Sequence, residues 1–276
     1  MGSTTAPAGV GKTVVAAGIR TNYHDVGQGS PLVLLHGSGP GVSAWQNWSA
    51  IIPRLARNFR VLAPDIAGFG FTDNDPSRSY DIKLWVAHLI GFLDALEIEQ
   101  AIFVGNSFGG GLSLATALRH GPRISRLVLM GTPAGEFVQT EGLRAGWFYE
   151  PSLANMKAIL RLFPYDQSVV TSEMVRERYE ASAAPGAQEA FRRLIPKPNE
   201  TGETLVRGVP EAALATLPHP TLVLHGREDA VVPFECGLRL HRNIANSELH
   251  AFGQCGHWVM IEREDAFVRL VSEFSA

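Results

Sequence analysis

The sequence predicts an α/β fold: a mostly parallel central sheet flanked by helices, with a helical cap inserted after the sixth strand. Three observations predict it. Apolar runs rich in Val, Leu and Ile recur over residues 32–35, 61–63, 101–104, 127–130 and 221–224, each closed by a turn-forming stretch. Hydrophobicity that is continuous rather than alternating suits strands buried on both faces. Between these runs lie stretches of helical spacing at 45–57, 80–96, 108–120, 234–244 and 262–274. Strand and helix in alternation imply right-handed crossovers in one sheet. The rhythm then breaks between about 133 and 217. There helical patterns run over 152–163 and 172–183 with no convincing strand, and the strand signature resumes at 221.

In chain order, residues 13–26 read as an antiparallel hairpin that feeds the sheet. The core is expected over 1–133 and 218–276, and the cap over 134–217, with Pro196, Pro198, Pro210, Pro218 and Pro220 forming the return joint. A short strand at 249–252 precedes the last helix.

Composition narrows the function. At 276 residues and 45% hydrophobic content the chain can bury one large α/β core. A formal net charge of −3 offers no basic excess for nucleic acid. Only Cys236 and Cys255 are present, which argues against a disulfide framework and for a reducing, cytoplasmic setting. Cys255, two residues before His257, reads as a packed thiol. The segment Met1 to Gly11 has neither the basic nor the apolar region of a secretory signal, and no apolar stretch approaches the ~20 residues of a membrane span. The sequons at Asn47 and Asn199 matter only in a secreted protein, and Gly11-Lys12-Thr13 lacks the strand a phosphate loop requires. No His/Asp/Glu cluster has metal-ligand spacing.

Gly105-Asn106-Ser107-Phe108-Gly109 follows a buried strand and opens a helix. Such a strand-to-helix turn lifts a serine hydroxyl above the sheet, and the helix N-terminus aims free N–H groups at the same spot. A serine hydroxyl needs a base, and the base an orienting carboxylate, in the chain order serine, acid, histidine. The run His225-Gly226-Arg227-Glu228-Asp229 leaves a strand end, and Asp229 is preferred over Glu228 from its spacing to Pro233. His257, in Gly256-His257-Trp258, is the expected base; His88, His120 and His241 fall on helices. His36-Gly37-Ser38-Gly39-Pro40-Gly41 is Gly-rich enough to form an oxyanion pocket, with the Ser38 and Phe108 backbone amides as donors. Serine at 107 excludes the relatives of this fold that use a carboxylate nucleophile.

The stretches 35–45, 105–111, 225–233 and 255–258 resemble those of the meta-cleavage-product hydrolases. These are α/β-hydrolase-fold enzymes that split carbon–carbon bonds in ring-fission products of aromatic degradation. The resemblance runs from about residue 14 to 274 and is closer to the alkylbenzene and phenol branch than to the biphenyl branch. It implies a 2-hydroxy-6-oxohexa-2,4-dienoate-type substrate with an alkyl group or hydrogen at C6, no cofactor, and a homodimer. It also implies that Arg178 holds the substrate carboxylate, with Gly39, Asn47, Asn106 and Trp258 lining the polar end.

Helical spacing agrees for Arg178, which shares a face with Met174, Val175 and Ala181, whereas Arg176 neighbours Glu173 and Glu180. The competing readings are a snorkelling arginine, loop-tying amides at Asn47 and Asn106, and a Trp258 that only packs beneath His257. Trp147 and Phe163 are expected to shape the space for the C6 substituent. A carboxylesterase or perhydrolase on the same triad is the alternative activity. A non-enzymatic binding protein of this fold would ordinarily have lost one of Ser107, Asp229 and His257.

Overall fold

A computed structural model describes residues 9–195 and 205–276. The first eight residues, the joint at Pro196 and Pro198 and the sequon at Asn199 lie outside the described residues. The chain opens with β1 (Lys12–Ala16) and β2 (Ile19–Val26), then β3 (Pro31–Leu35), the short helices α1 (Ala44–Trp48) and α2 (Ile52–Leu55), and β4 (Arg60–Pro64). Next come α3 (Ile82–Ala95), β5 (Ala101–Asn106), α4 (Phe108–His120) and β6 (Ile124–Met130). After β6 follow β7 (Glu136–Val138), α5 (Glu141–Trp147), α6 (Leu153–Leu160), α7 (Ser172–Ala183), α8 (Ala187–Leu194), β8 (Leu205–Arg207) and α9 (Glu211–Leu214). The chain closes with β9 (Thr221–Gly226), α10 (Phe234–Asn243), β10 (Ser247–Phe252), α11 (Val259–Glu262) and α12 (Glu264–Ser275).

Eight strands form one sheet in the order β1-β2-β4-β3-β5-β6-β9-β10. The β1–β2 hairpin and the β2–β4 pair are antiparallel, and the remaining neighbours are parallel. Continuous apolar runs are explained by burial on both faces. In β5, Phe103 joins a cluster with Trp85 of α3, Leu112 of α4 and Leu240 of α10. Its neighbours Ile102 and Val104 join the opposite cluster, with Trp48 of α1, Leu55 of α2 and Phe267 of α12. Met156 and Ile159 of α6 and Val175 of α7 also belong to that second cluster.

Two expectations change. The single helix expected over 45–57 is divided into α1 and α2, because Pro53 in the first turn of α2 has no N–H to continue the ladder. The region between β6 and β9 does contain strands: β7 and β8 pair antiparallel over three residues each, Glu136 with Arg207 to Val138 with Leu205. Segments so short, with exposed outer residues, carry no readable alternation. No helix among the described residues is long and apolar enough to cross a membrane.

Two buried histidines tie the core to pH. His36, at the end of β3, has Nδ1 2.8 Å from Gly37 O and accepts the Ile66 amide at Nε2, 3.0 Å away, so it is neutral. His88 on α3 meets Thr21 Oγ1 at 2.7 Å. Burial pushes both imidazoles down to about 4. The unfolded chain therefore takes up protons below pH ~6.5 that the folded chain refuses until about 4. Their stabilisation is complete above pH ~6.5 and is lost as pH falls toward 4, by up to ~1.4 kcal/mol per pH unit for each histidine. Asp65 acts in the opposite sense: burial raises its carboxyl to about 6, so its contribution fades as pH rises through that value. Urea unfolding between pH 5 and 7 should show stability rising with pH. The slope should be shallower in His88→Gln by about one proton; equal slopes would contradict a neutral, buried His88.

Candidate active site

Ser107 stands between β5 and α4 at φ 53°, ψ −114°, a backbone state that a residue with a Cβ adopts only at a cost of ~1–3 kcal/mol. Close backbone approach holds it there. A Cβ on Gly105 would lie 2.5 Å from Gly109 O and Gly110 N, and one on Gly109 would collide with the Leu35 carbonyl. The Ser107 amide donates to Met130 O at 2.8 Å, pinning the turn to β6. Behind it, Phe108 packs its ring on Trp85 and Phe69, with centroids 4.8 and 5.8 Å away.

Asp229 lies in the loop after β9 with its side chain fully buried. Its Oδ1 accepts the Val231 and Val232 amides at 2.8 and 2.9 Å, and its Oδ2 accepts His257 Nδ1 at 2.7 Å. Donation from Nδ1 leaves the lone pair of His257 Nε2 free, the tautomer a general base requires. His225 Nε2 also approaches Asp229 Oδ2, at 3.3 Å, while lying 3.0 Å from Val232 O. Burial alone would raise the Asp229 carboxyl, but His257 and His225 outweigh it and hold the group below the usual carboxylate range. Glu228 instead pairs with Arg227 and accepts the Cys255 amide at 3.2 Å. The Cys255 thiol is buried and pushed up to about 12.

The loop after β3 is fixed from beneath. Asp65 Oδ1 accepts the Ala44 amide at 2.6 Å, and its Oδ2 accepts Asn22 Nδ2 and the Phe71 amide at 2.9 and 2.8 Å. Gly37 packs directly on the nucleophile turn: a Cβ there would sit 3.0 Å from Asn106 Oδ1 and 3.5 Å from Ser107 Cβ. Neither the Ser38 nor the Phe108 amide donates to an acceptor among the described residues. Both are therefore available to a developing oxyanion.

Ser107 and His257 line one cavity with Ser38 and Gly39. Its polar side is formed by Asn47, Asn106, Arg178 and Trp258. Arg178 is only 6% exposed. Its guanidinium carbon stands 5.2 Å over the Trp258 ring, and its Nη2 donates to Gln46 O at a long 3.4 Å. No carboxylate pairs with it among the described residues, and burial lowers its pKa to about 10. Arg176, by contrast, is exposed and lies 3.9 Å from Glu180. Among the described residues Asn47 Nδ2 is buried without a partner, and Asn106 Nδ2 makes only a 3.4 Å bond to Met130 O. The apolar side comes from Val42, Met156, Ile159, Leu160 and Phe163.

Thus Phe163 lines the cavity, as expected, but Trp147 does not; it packs at the edge of the core cluster that contains Trp85. As a helix-end aromatic, its outward or inward direction depends on a tertiary turn. Sequence reasoning passed over Met156, Ile159 and Leu160, although their i, i+3, i+4 spacing on the expected cap helix marks one apolar face. It also passed over His225, whose signal is a histidine near the end of a strand that is otherwise almost wholly apolar.

This geometry can be set beside known proteins. A family model described as the alpha/beta hydrolase family matches residues 32–270. The chain is 50% identical over 273 residues to 2-hydroxy-6-oxo-2,4-heptadienoate hydrolase of Pseudomonas putida strain F1, covering 99% of each. It is 49% identical over 267 residues to 2-hydroxymuconate semialdehyde hydrolase of Pseudomonas sp. strain CF600, covering 97% of this chain and 94% of the relative. A solved meta-cleavage product hydrolase from Pseudomonas fluorescens IP01, a serine-to-alanine mutant complexed with acetates, superposes with a TM-score of 0.92 at 52% identity. That match covers 96% of this chain and 97% of the other. The chain belongs to the alpha/beta hydrolase family and, within it, to the meta-cleavage product hydrolases.

Proposed function

We propose that the chain hydrolyses the C5–C6 bond of a 2-hydroxy-6-oxohexa-2,4-dienoate bearing hydrogen or a small alkyl group at C6. The products are a 2-hydroxypenta-2,4-dienoate and a carboxylic acid. One observation carries the reading: a buried arginine with no carboxylate partner among the described residues shares a cavity with Ser107 and His257. A neutral ester gives such a cation nothing to bind. A dienoate carboxylate gives it a bidentate partner in a desolvated site. The names of the relatives point the same way.

Each step follows from a named group. Breaking a carbon–carbon bond sends an electron pair onto carbon, so the dienol first ketonises, with His257 as proton shuttle. Arg178, Asn47 and Asn106 hold the carboxylate and the 2-oxygen during this step. Ser107 then gives its proton to His257 Nε2 and attacks the C6 carbonyl, or alternatively His257 activates water toward it. The oxyanion is received by the Ser38 and Phe108 amides. When it collapses, the C5–C6 pair passes through the C3–C4 double bond to the 2-oxygen. On the serine route, water releases the acid from Ser107. In the same proposal residues 134–217 are the cap, the remainder is the hydrolase core, and the enzyme works as a cytoplasmic homodimer.

Two measurements test this reading. Offered a coloured hydroxy-oxo-dienoate beside a nitrophenyl ester, the protein should consume the dienoate, and Ser107→Ala should slow that turnover by at least ~10³-fold. Brisk ester hydrolysis with an untouched dienoate would instead identify a carboxylesterase or perhydrolase. Arg178→Ala should lower kcat/KM on the dienoate by roughly 10²-fold or more while leaving the ester rate within a few-fold. Equal losses on both would reduce Arg178 to a folding role.

A further inference from the structure

One carboxylate bonds both the loop that carries His257 and a segment of the cap. Glu262, the last residue of α11, accepts the Gly256 amide at Oε1, 2.8 Å away. Its other oxygen, Oε2, accepts the Tyr165 and Asp166 amides of the cap segment at 2.8 and 3.0 Å. A direct bond runs alongside, from His257 N to Phe163 O at 2.7 Å. The two backbones touch so closely that a Cβ on Gly256 would lie 2.8 Å from Tyr165 N. At the other end of this seam, the Phe163 ring lies 5.6 Å from the His257 ring and 5.0 Å from Trp258, lining the cavity. Arg263 braces the same loop from below through Gly253 O and Gln254 O, at 3.0 and 2.7 Å.

We infer that Glu262 is a positioning residue, which sets the seat of the cap over the cavity and the alignment of His257 as one unit. The inference rests on the reading of His257 as the base. Only an ionised carboxylate suits the position. It presents acceptors in both directions, whereas a glutamine would turn an NH₂ group toward backbone N–H donors on one side. Three charge-assisted bonds to backbone donors also leave little freedom to the loop between them. Because Phe163 sits on both the seam and the cavity wall, a shift of the cap moves the base, and a shift of the base opens the cap.

The test compares E262Q with H257A in the full chain, read by amide hydrogen exchange, the low-field NMR resonance of the His257 Nδ1 proton, and kinetics on the dienoate. In E262Q, exchange at Tyr165, Asp166 and Gly256 should accelerate together, and the low-field resonance should broaden. The kcat should fall ~10–100-fold, the loss expected for a base displaced by a fraction of an ångström to one ångström. A purely structural carboxylate would lower thermal stability yet leave the resonance and kcat unchanged, and that result would overturn the inference. If H257A itself kept turnover, the base assignment would fail and the positioning role with it. Full kcat in E262Q beside an inactive H257A would remove the positioning role alone. Should E262Q not fold, exchange in the wild-type protein decides. A common slow rate at the three amides supports the seam; free exchange at Tyr165 and Asp166 beside a protected Gly256 contradicts it.

Discussion

Ser107 is held at φ 53° by contacts that admit no side chain around it, and the geometry of the site follows from that constraint. β5 and α4 can meet in so tight a turn only because Gly105 and Gly109 let backbone lie on backbone. Gly109 brings the end of β3 against the first turn of α4, and the loop beginning at His36 thereby reaches the nucleophile. The strain is local, of order 1–3 kcal/mol, and a core buried on both faces of an eight-stranded sheet carries it easily.

Two buried charges, one behind His257 and one in the cavity wall, are held with opposite logic. Asp229 is a buried carboxylate given everything it needs: two amides on one oxygen, and two imidazoles on the other. Its ionisation is secured, so His257 is oriented with Nδ1 toward Asp229, as the proposed base requires. Among the described residues, Arg178 is a buried cation left with a tryptophan face and one long bond to a carbonyl. A charge held so poorly favours an anion that arrives with substrate. The stacked Trp258 keeps the guanidinium in place while its donors remain available.

Much of this was legible in the residues, for physical reasons. The parallel strands declared themselves because burial on both faces leaves no polar alternation, as in 101–104. The glycines that flank Ser107, Gly105 and Gly109, reflect backbone contacts too close for any Cβ. Arg178 could be preferred over Arg176 because helical period places it with Val175, and the helix is amphipathic where it matters. What could not be read has equally physical causes. β7 and β8 are too short for a period, and Pro53 divided a helix whose hydrophobic spacing ran on unbroken. Glu262 acts on a segment almost a hundred residues away in sequence, so neither pattern nor propensity announces it. Trp147 was misplaced because an aromatic at a helix end can face either way.

The account stands on the orientation of substrate in the cavity, and one structure tests it. Crystals of Ser107→Ala soaked with 2-hydroxy-6-oxohepta-2,4-dienoate should show the carboxylate forked onto Arg178. The C6 carbonyl oxygen should point at the Ser38 and Phe108 amides, with C6 within ~3–3.5 Å of the position the serine oxygen would occupy. A substrate bound in the reverse sense, with its carboxylate at the Ser38 and Phe108 amides and Arg178 untouched, would contradict it.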